Sequence, residues 1–338
     1  MIAGCSGPSV AAGVALALLE FAASRGADRD KLLVQAGIDP SVFADGDNRV
    51  PFAQYVALMR AGKTLCRDPA LGLHFGEAVD FSELSIVGLI GEAAETPAEA
   101  FVQVNRYARL IVEIDTGDSD RFALERRDGQ IWLIDNRKNP NDFPELTEGG
   151  FARGVSGMHH FDPVLTLTAV HVTHPDPGYR SEYERIFRAP VHFASSVNAL
   201  VMDEAWLNRT IRTQPRYVFG ILTRHADTLI ARLDDAKTMR GQVEAVLLPV
   251  LHTGASGVEA VSARLGIGRH TLFRRLKAEG TTFEKVLDEL RRRLALEYLR
   301  GQKVSVNETA YLVGFSEPAA FSRAFKRWTG MSPGEARR

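Results

Sequence analysis

The chain of 338 residues has few cysteines and almost no net charge, and each shortage limits what the protein can be. Two cysteines, Cys5 and Cys66, cannot build a disulfide framework, so a reducing compartment is expected. Charged residues make up 25% of the chain and hydrophobic residues 45%, which excludes bulk disorder and fibrous repeats. The length exceeds one ordinary core and predicts two or three domains.

Long apolar runs are also scarce. The stretch Val10–Ala23 is too short to span a bilayer, and Glu20 interrupts it. No basic residue precedes this stretch, so the charged start of a signal peptide is missing. We expect a buried helix here, with a dimer face as the alternative, and no membrane association.

Motifs for catalysis, cofactors and metals are missing as well. The sequence contains no P-loop, no G-x-G-x-x-G, no G-x-S-x-G and no recognisable Ser/His/Asp or Cys/His arrangement. His159 and His160 are adjacent and point apart on any regular element, while a strand would place His171 and His174 on opposite faces. No cysteine or carboxylate cluster completes a metal site nearby. We therefore expect no enzyme activity, no cofactor and no metal.

The near-zero net charge hides an asymmetry between the two ends of the chain. Residues 240–338 contain 17 Lys and Arg against 10 Asp and Glu, a balance of +7. The remaining 24 basic and 32 acidic residues leave residues 1–239 with a balance of −8. An acidic body joined to a basic C-terminal region indicates a polyanion as partner of that region.

The first hundred residues carry helical patterns with recognisable ends. A short helix is predicted after Asp28, ending at Gly37. Pro51 is expected at the first position of a second helix, because a helix needs no N–H there. A third helix is predicted over 96–113, with Thr96 as its cap and a proline in its first turn.

The middle of the chain changes to a period of two residues. Residues 120–136 alternate apolar and polar side chains and break at Asp128-Gly129, which predicts a hairpin. A further strand is predicted in 165–175 and two short strands in 189–203, with one short helix between them. Residues 1 to about 205 are thus predicted as α+β, and residues from Glu204 onward as helical.

The last hundred residues contain an internal repeat. Val258–Phe283 and Val306–Pro333 each show a short helix, a turn with glycine and a second helix, the pattern of a helix-turn-helix. Gly266 matches Gly314 at an offset of 48, and after one extra residue in the second turn the offset becomes 49. Leu272 and Leu276 then match Phe321 and Phe325, at the spacing that points two side chains inward.

This repeat predicts a double DNA-binding unit. Arg274 and Arg323 match each other and lie two residues beyond the first inward anchor, so they should face outward. The amphipathic stretch Phe283–Gln302 is expected to form a rigid helix between the two halves. Two reading helices held about one DNA turn apart could enter successive major grooves. Ser316 is expected to cap the second reading helix, whose N-terminus suits a phosphate.

The C-terminal stretch "VGFSEPAAFSRAFKRWTGMSPGEAR" closely resembles the signature of the AraC/XylS family of bacterial transcription regulators. The resemblance covers about 243–338 and is specific. More diffuse features of 36–207, including "GIDPSVF", "DPALGLHFGE" and "TPAEAFVQVNRYARL", resemble the non-cupin, arabinose-binding-type sensor domain of one branch of that family. The resemblance implies a sensor and dimerisation domain at 1–235, with a helical linker from about 204, and an all-α double helix-turn-helix domain at 236–338.

The resemblance also implies which residues contact DNA. The base-facing positions of the two reading helices are His270, Phe273, Arg274, Pro318, Ala319, Ser322 and Arg323. Phosphate contacts are expected from Arg269, Arg275, Lys277, Ser316, Lys326 and Arg327, with plain surface solubility as the alternative for the five cations. The two matched arginines suit guanine, because one guanidinium can bond O6 and N7 together.

The resemblance implies an effector-responsive activator that binds double-stranded DNA, contacts RNA polymerase, pairs as a homodimer and is cytoplasmic and nucleoid-associated. For the small-molecule effector, the sequence offers Arg106, Tyr107 and Arg109 on one predicted helix, since arginine can clamp a carboxylate. A surface charge, or an ion pair of Arg109 with Glu113, is the alternative.

Two other functions compete with this one. A DNA-repair alkyltransferase can carry a similar DNA-binding domain, but it needs an activated thiol, and no Pro-Cys-His run accompanies Cys5 or Cys66. The alternative is an architectural or repressor-type DNA binder without an effector, and an architectural binder would show little sequence preference and a large salt-driven affinity. The long acidic N-terminal region argues against the architectural protein.

Overall fold

The computed structural model describes residues 7–117, 119–163, 165–211, 214–254, 256–301 and 304–337. Cys5 lies outside these ranges. The chain divides into two compact units between Ala231 and Arg232. No helix within the described ranges is long and apolar enough to cross a membrane.

The N-terminal unit combines helices with two small sheets, as the α+β prediction requires. A short antiparallel pair joins β1 (Ser9–Ala11) to β2 (Arg49–Pro51). The helices pack around these strands and around a second sheet. Their bounds are α1 Ala12–Ser24, α2 Arg29–Ala36, α3 Phe52–Leu65, α4 Leu71–Ala78, α5 Phe81–Leu84, α6 Ile86–Glu92, α7 Pro97–Ile111, α8 Glu145–Phe161 and α9 Arg180–Phe187. Helix α10, Arg216–Lys237, begins in this unit and ends beyond Ala231.

Helix ends in this unit follow local capping chemistry. The Asp28 side chain accepts a hydrogen bond of 2.9 Å from the Lys31 N–H, and α2 ends at Gly37 with φ 65°. Thr96 caps α7 by accepting from the Glu99 N–H at 3.2 Å. Both helices therefore begin where the sequence predicts, because side-chain oxygens replace missing helical acceptors there.

Two helix starts differ from the prediction. Pro51 is not the first residue of α3 but the residue before it, with an extended backbone at φ −51° and ψ 135°. It closes β2, whose pairing with β1 holds Pro51 opposite Ser9. Val10 and Ala11 likewise belong to β1, so the predicted buried helix begins at Ala12. In both cases strand pairing replaces a helical turn that local sequence would allow.

The larger sheet has five strands in the order β3-β4-β7-β5-β6. All neighbours are antiparallel except the parallel pair β5 and β6. The predicted hairpin is confirmed, with Asp128 at φ 49° and Gly129 at φ 75° in its turn. The strands are β3 Phe122–Arg127, β4 Gln130–Asp135, β5 Leu167–His171, β6 Val191–His192 and β7 Ala199–Asp203.

Helix α8 was not predicted, because its sequence contains four glycines. It packs closely on α4, where Gly76 faces Gly149. A Cβ atom added to Gly76 would lie 2.3 Å from the Gly149 carbonyl oxygen. Glycine is required here because only a missing side chain allows the two helix backbones to approach so closely. Packing on α4 outweighs the weak intrinsic helix preference of the segment.

The C-terminal unit is helical, as predicted. Its core contains Leu272, Leu276, Leu290, Phe321 and Phe325, each at most 1% exposed. A 3-10 helix at Leu248–Thr253 connects the first two helices of the unit. The helices are α11 Met239–Leu247, α12 Val258–Arg264, α13 Arg269–Ala278, α14 Phe283–Arg300, α15 Val306–Leu312, α16 Pro318–Thr329 and α17 Pro333–Ala336.

Candidate nucleic-acid interface and ligand cavity

The sequence repeat forms two helix-turn-helix units, α12–α13 and α15–α16. Both turns are built in the same way around a glycine with positive φ, 64° at Gly266 and 82° at Gly314. Each glycine N–H donates to the carbonyl three residues earlier, at Ala263 (3.1 Å) and Tyr311 (2.9 Å). Because a side chain is strained in this conformation, glycine fixes the sharp entry into each second helix.

Paired apolar anchors fix the rotation of each second helix. Leu272 and Leu276 are fully buried in α13, and Phe321 and Phe325 are fully buried in α16. Residues four apart share one helix face, so the remaining face of each helix is left to solvent. The predicted inward anchors are therefore confirmed in both repeats.

Arg274 and Arg323 are exposed at equivalent places in the two units. Neither side chain forms a hydrogen bond or ion pair with any described residue, so each guanidinium keeps its five donors. His270 and Ala319 are also exposed, and Phe273 is 36% exposed. Pro318 and Ser322 are partly buried, and the Ser322 hydroxyl donates to the Pro318 carbonyl at 2.9 Å. This surface offers cationic donors beside small and apolar side chains.

The residues expected at phosphates are all exposed, but they differ in their partners. Arg269 pairs with Glu259 at 3.3 Å, and Arg327 pairs with Asp288 at 2.8 Å. The remaining cations have no polar partner in the described ranges and are Arg275, Lys277 and Lys326. These three are free to meet a polyanion, whereas the two paired arginines must first exchange a carboxylate for a phosphate.

Ser316 does not cap α16, contrary to the expectation from sequence. The cap position is Glu317, with φ −131° and ψ 127°, and no side chain there bonds to the first turn. Pro318 is the first helical residue, and its fixed φ sets the helix start one residue later than predicted. Ser316 lies one residue before the cap and is exposed, so its hydroxyl remains available to a phosphate.

Arg291 of the bridging helix α14 holds the second turn in place, a role that sequence reasoning missed. Its Nε donates to the Val313 carbonyl and its Nη2 to the Gly314 carbonyl, both at 3.1 Å. The guanidinium also lies 4.7 Å from the centre of the Phe315 ring. Burial lowers the pKa of Arg291 from its ordinary value. The one signal in the sequence is its place next to Leu290 on the apolar stripe of α14.

The N-terminal unit contains a cavity of about 430 Å³ lined by α4, α7, α8 and the five-stranded sheet, a size typical of small-molecule sites. Its wall is mostly apolar and includes Phe75, Phe101, Leu133 and Met202. Two arginines, Arg121 before β3 and Arg153 in α8, also line it. A cavity with this lining can enclose an apolar molecule and bind one charged group.

Comparisons with known proteins agree with this geometry. Residues 26–211 match the family described as the arabinose-binding domain of AraC transcription regulator, N-terminal, and residues 261–338 match a helix-turn-helix domain. The chain belongs to the AraC family of transcription regulators. Its function is therefore to bind DNA as a regulator and not to catalyse a reaction.

Relatives within the AraC family extend over most of the chain. The chain is 27% identical to the ornithine utilization regulator of Pseudomonas aeruginosa, over 95% of this chain and 94% of that protein. It is 31% identical to the regulator VqsM of the same species, over 79% of this chain and 83% of VqsM. Among solved structures it is similar to CdpR of P. aeruginosa, at 24% identity and a TM-score of 0.43, covering 91% of this chain and 96% of CdpR.

The predicted effector residues of this AraC-family chain are not among the residues that line the cavity, although other residues of α7 are. Arg106 pairs with Asp227 at 2.9 Å, and the Tyr107 hydroxyl donates to the same carboxylate at 2.7 Å. Arg109 forms an ion pair with Glu113 at 3.3 Å, as the alternative interpretation stated. Arg106 and Tyr107 therefore connect α7 to α10, and Arg109 pairs with a residue just beyond the end of α7.

Two histidines of the N-terminal unit lie in different surroundings, His171 at the end of β5 and His174 beyond that strand. His171 stacks between Trp132 and His192, with ring centres 4.7 Å apart in both pairs. His174 is buried, and its Nε2 lies 2.9 Å from the Tyr183 hydroxyl. Within the described ranges no group of three or more His, Cys, Asp or Glu side chains could hold a metal ion.

Proposed function

We propose that this regulator is an effector-responsive activator that binds a bipartite DNA site through two successive major grooves. The observation that carries the proposal is the equivalent exposure of Arg274 and Arg323 on two helices connected by α14. Each arginine is free to bond a guanine edge, and the continuous helix between the units limits how far their separation can vary.

The remaining predicted positions complete the proposed interface. His270, Phe273, Pro318, Ala319 and Ser322 would face bases, with the apolar members meeting thymine methyl groups. Contacts with the phosphate backbone would position the protein on DNA, and they would come from Arg269, Arg275, Lys277, Ser316, Lys326 and Arg327. Contacts with phosphates raise the affinity for every DNA sequence equally.

We further propose that residues 1–235 form the sensor and dimerisation domain and residues 236–338 the DNA-binding domain. The cavity of the sensor domain would hold a small-molecule effector, in place of the site first predicted on α7. The P. aeruginosa relative is described as an ornithine utilization regulator, which supports a response to a small metabolite here. A homodimer, contact with RNA polymerase and a cytoplasmic, nucleoid-associated location complete the proposal.

Selection of genomic DNA tests the proposed site directly. The purified chain is mixed with sheared genomic DNA at physiological salt, and the bound fragments are recovered and sequenced. We expect a few sites, each with two patches about one helical turn apart. Recovery without sequence preference, with full chain and with residues 240–338 alike, would contradict sequence reading and favour an architectural binder.

A further inference from the structure

Arg153 is a cation without a partner inside the sensor domain. Its side chain forms no hydrogen bond or ion pair with a described residue, and its Nε is buried. The guanidinium instead lies 5.4 Å from the ring centre of Phe75 and 5.6 Å from that of Phe81. Burial lowers the pKa of Arg153, yet a guanidinium stays charged in proteins. The residue as a whole is partly buried, and a partly buried charge without a carboxylate partner is stabilised by a bound anion.

The carboxylates around the cavity already have partners. Glu145 pairs with Lys63 at 2.6 Å, and Glu77 pairs with Arg185 at 2.7 Å. Asp80 accepts hydrogen bonds from the Ser82 N–H and hydroxyl, and Glu92 also has an interaction partner. The acidic side chains of the lining are therefore committed elsewhere, and Arg153 remains uncompensated by the part of the chain that is described.

Arg121 adds a second cation that is only partly neutralised. Its Nε lies 3.6 Å from the Asp135 carboxylate, beyond hydrogen-bond distance. Asp135 also pairs with Arg137 at 3.3 Å and accepts a hydrogen bond from the Thr147 hydroxyl at 2.8 Å. One carboxylate thus serves two guanidiniums, so Arg121 keeps donors for a ligand.

Tyr55 supplies a third donor at the same end of the cavity. The residue is 4% exposed, and its hydroxyl forms no hydrogen bond with a described residue. Burial raises the pKa of Tyr55 to about 12, while the charges of Arg153 and Arg121 act in the opposite direction. The hydroxyl therefore stays protonated near neutral pH and can donate to an anion.

We propose that the cavity binds a monocarboxylate with an apolar body, whose carboxylate is held by Arg153, Arg121 and the Tyr55 hydroxyl. This inference rests on the proposed function, in which the cavity is the effector site. A planar guanidinium can bond both oxygens of a carboxylate. The apolar wall offers few partners to a sugar, and the two arginines repel a cationic ligand. One unpaired arginine matches a single negative charge.

Calorimetry on the full-length protein tests the ligand class without DNA. The probes are octanoate and 3-phenylpropanoate, each with its neutral amide, and octylammonium as the cationic probe. We expect at least one carboxylate to bind, its amide to bind about tenfold or more weakly, and octylammonium not to bind. Equal binding of each acid and its amide, or no binding by either acid, would overturn the proposal.

Two variants assign the binding to Arg153. Arg153→Met should weaken the bound carboxylate by about 10–100-fold while leaving the affinity of its amide unchanged, and Arg153→Lys should restore part of the loss. Arg126→Met is the control, because Arg126 is an exposed arginine of the same unit paired with Glu204. Loss of binding in Arg106→Met but not in Arg153→Met would move the site to α7 and overturn the assignment.

Failure of this inference can be told apart from failure of effector control. The test of effector control is the affinity for a selected operator with and without the bound carboxylate. Carboxylate binding without a change in operator affinity would support the ligand class and contradict effector control. A response of operator affinity to another compound, with no carboxylate bound, would overturn the ligand class and leave effector control standing.

Discussion

At the scale of single residues, the proposed DNA interface separates side chains that would read sequence from side chains that would raise affinity for any DNA. Arg323 and Lys326 are both exposed on α16. They lie three residues apart, and both have unused donors. A guanidinium in the major groove can tell guanine from the other bases, whereas an ammonium at a phosphate acts as a point charge. Removal of each side chain should therefore change DNA binding in a different way.

Replacing Arg323 with alanine should cost roughly 1–3 kcal/mol of binding free energy on the cognate site and relax the preference at one base pair. Titration against the site and its single-base variants measures both effects. An equal loss on every sequence would show that Arg323 contacts phosphate instead.

Replacing Lys326 with alanine is the matched comparison. We predict weaker binding to all sequences and a salt dependence whose slope falls by about one, because one fewer counterion is released. The measurement is affinity against salt concentration for the cognate site and for random DNA. Loss confined to the cognate site would contradict a phosphate contact.

The two turn glycines should differ in their tolerance to alanine. Both have positive φ, but a Cβ on Gly314 would lie 2.3 Å from the Leu251 carbonyl oxygen, whereas a Cβ on Gly266 meets nothing within 4 Å. We predict that Gly314→Ala lowers the free energy of unfolding by about 2–4 kcal/mol and Gly266→Ala by about 1–2 kcal/mol. Denaturant unfolding of both variants checks the order, and a larger loss at Gly266 would be the contrary result.

At the scale of elements, close helix packing in the N-terminal unit depends on glycine. A Cβ on Gly76 of α4 would collide with the α8 backbone at Gly149, but a Cβ on Gly154 of α8 would meet nothing within 4 Å. We predict that Gly76→Ala lowers the free energy of unfolding by about 1–3 kcal/mol. Gly154→Ala should raise it by up to about 1 kcal/mol, because alanine favours the helix. Thermal unfolding of the two variants is the measurement, and equal melting temperatures would contradict the packing.

The elements that sequence predicted correctly carry their own end signals. Asp28, Gly37 and Thr96 act through neighbouring backbone groups, so short segments suffice to predict them. The repeat around Gly266 and Gly314 was predictable because both turns use the same local chemistry. Helix α8 was missed because its glycines disfavour a helix locally, and tertiary packing on α4 and on the core beneath the larger sheet stabilises it.

The two candidate sites, the DNA interface and the cavity, differ in the same way, since local sequence indicates the first and tertiary packing forms the second. The outward positions of Arg274 and Arg323 follow from anchor spacing on one helix, which a sequence displays directly, whereas the other proposed DNA contacts rest on the family resemblance. The cavity arginines could not be predicted, because Arg121 and Arg153 come from different elements that only tertiary packing brings together. Arg106 was predicted as an effector residue because it is an arginine on a clearly predicted helix. Its ion-pair partner Asp227 lies more than a hundred residues away in the sequence, so the sequence did not indicate the pair.

At the scale of the whole molecule, the proposed function requires that a ligand in one domain alters DNA binding by the other. An effector can do this only if it binds the DNA-competent state more tightly than the other state, which shifts the population between them. The affinity for the carboxylate, measured once in free protein and once in operator-bound protein, gives that coupling directly. The carboxylate must change the affinity for the operator by the same factor as the operator changes the affinity for the carboxylate.

The proposed function requires a fixed spacing between α13 and α16, and changing the DNA between the two patches of the site tests that spacing. An operator obtained by selection is lengthened between its patches by about five base pairs, half a helical turn, and in a second version by about ten. We predict that affinity at fixed salt falls toward that of a single patch after the half-turn insertion, because α14 cannot rotate one helix-turn-helix unit to the opposite face of the duplex. Unchanged affinity for the half-turn operator would contradict simultaneous binding of two major grooves.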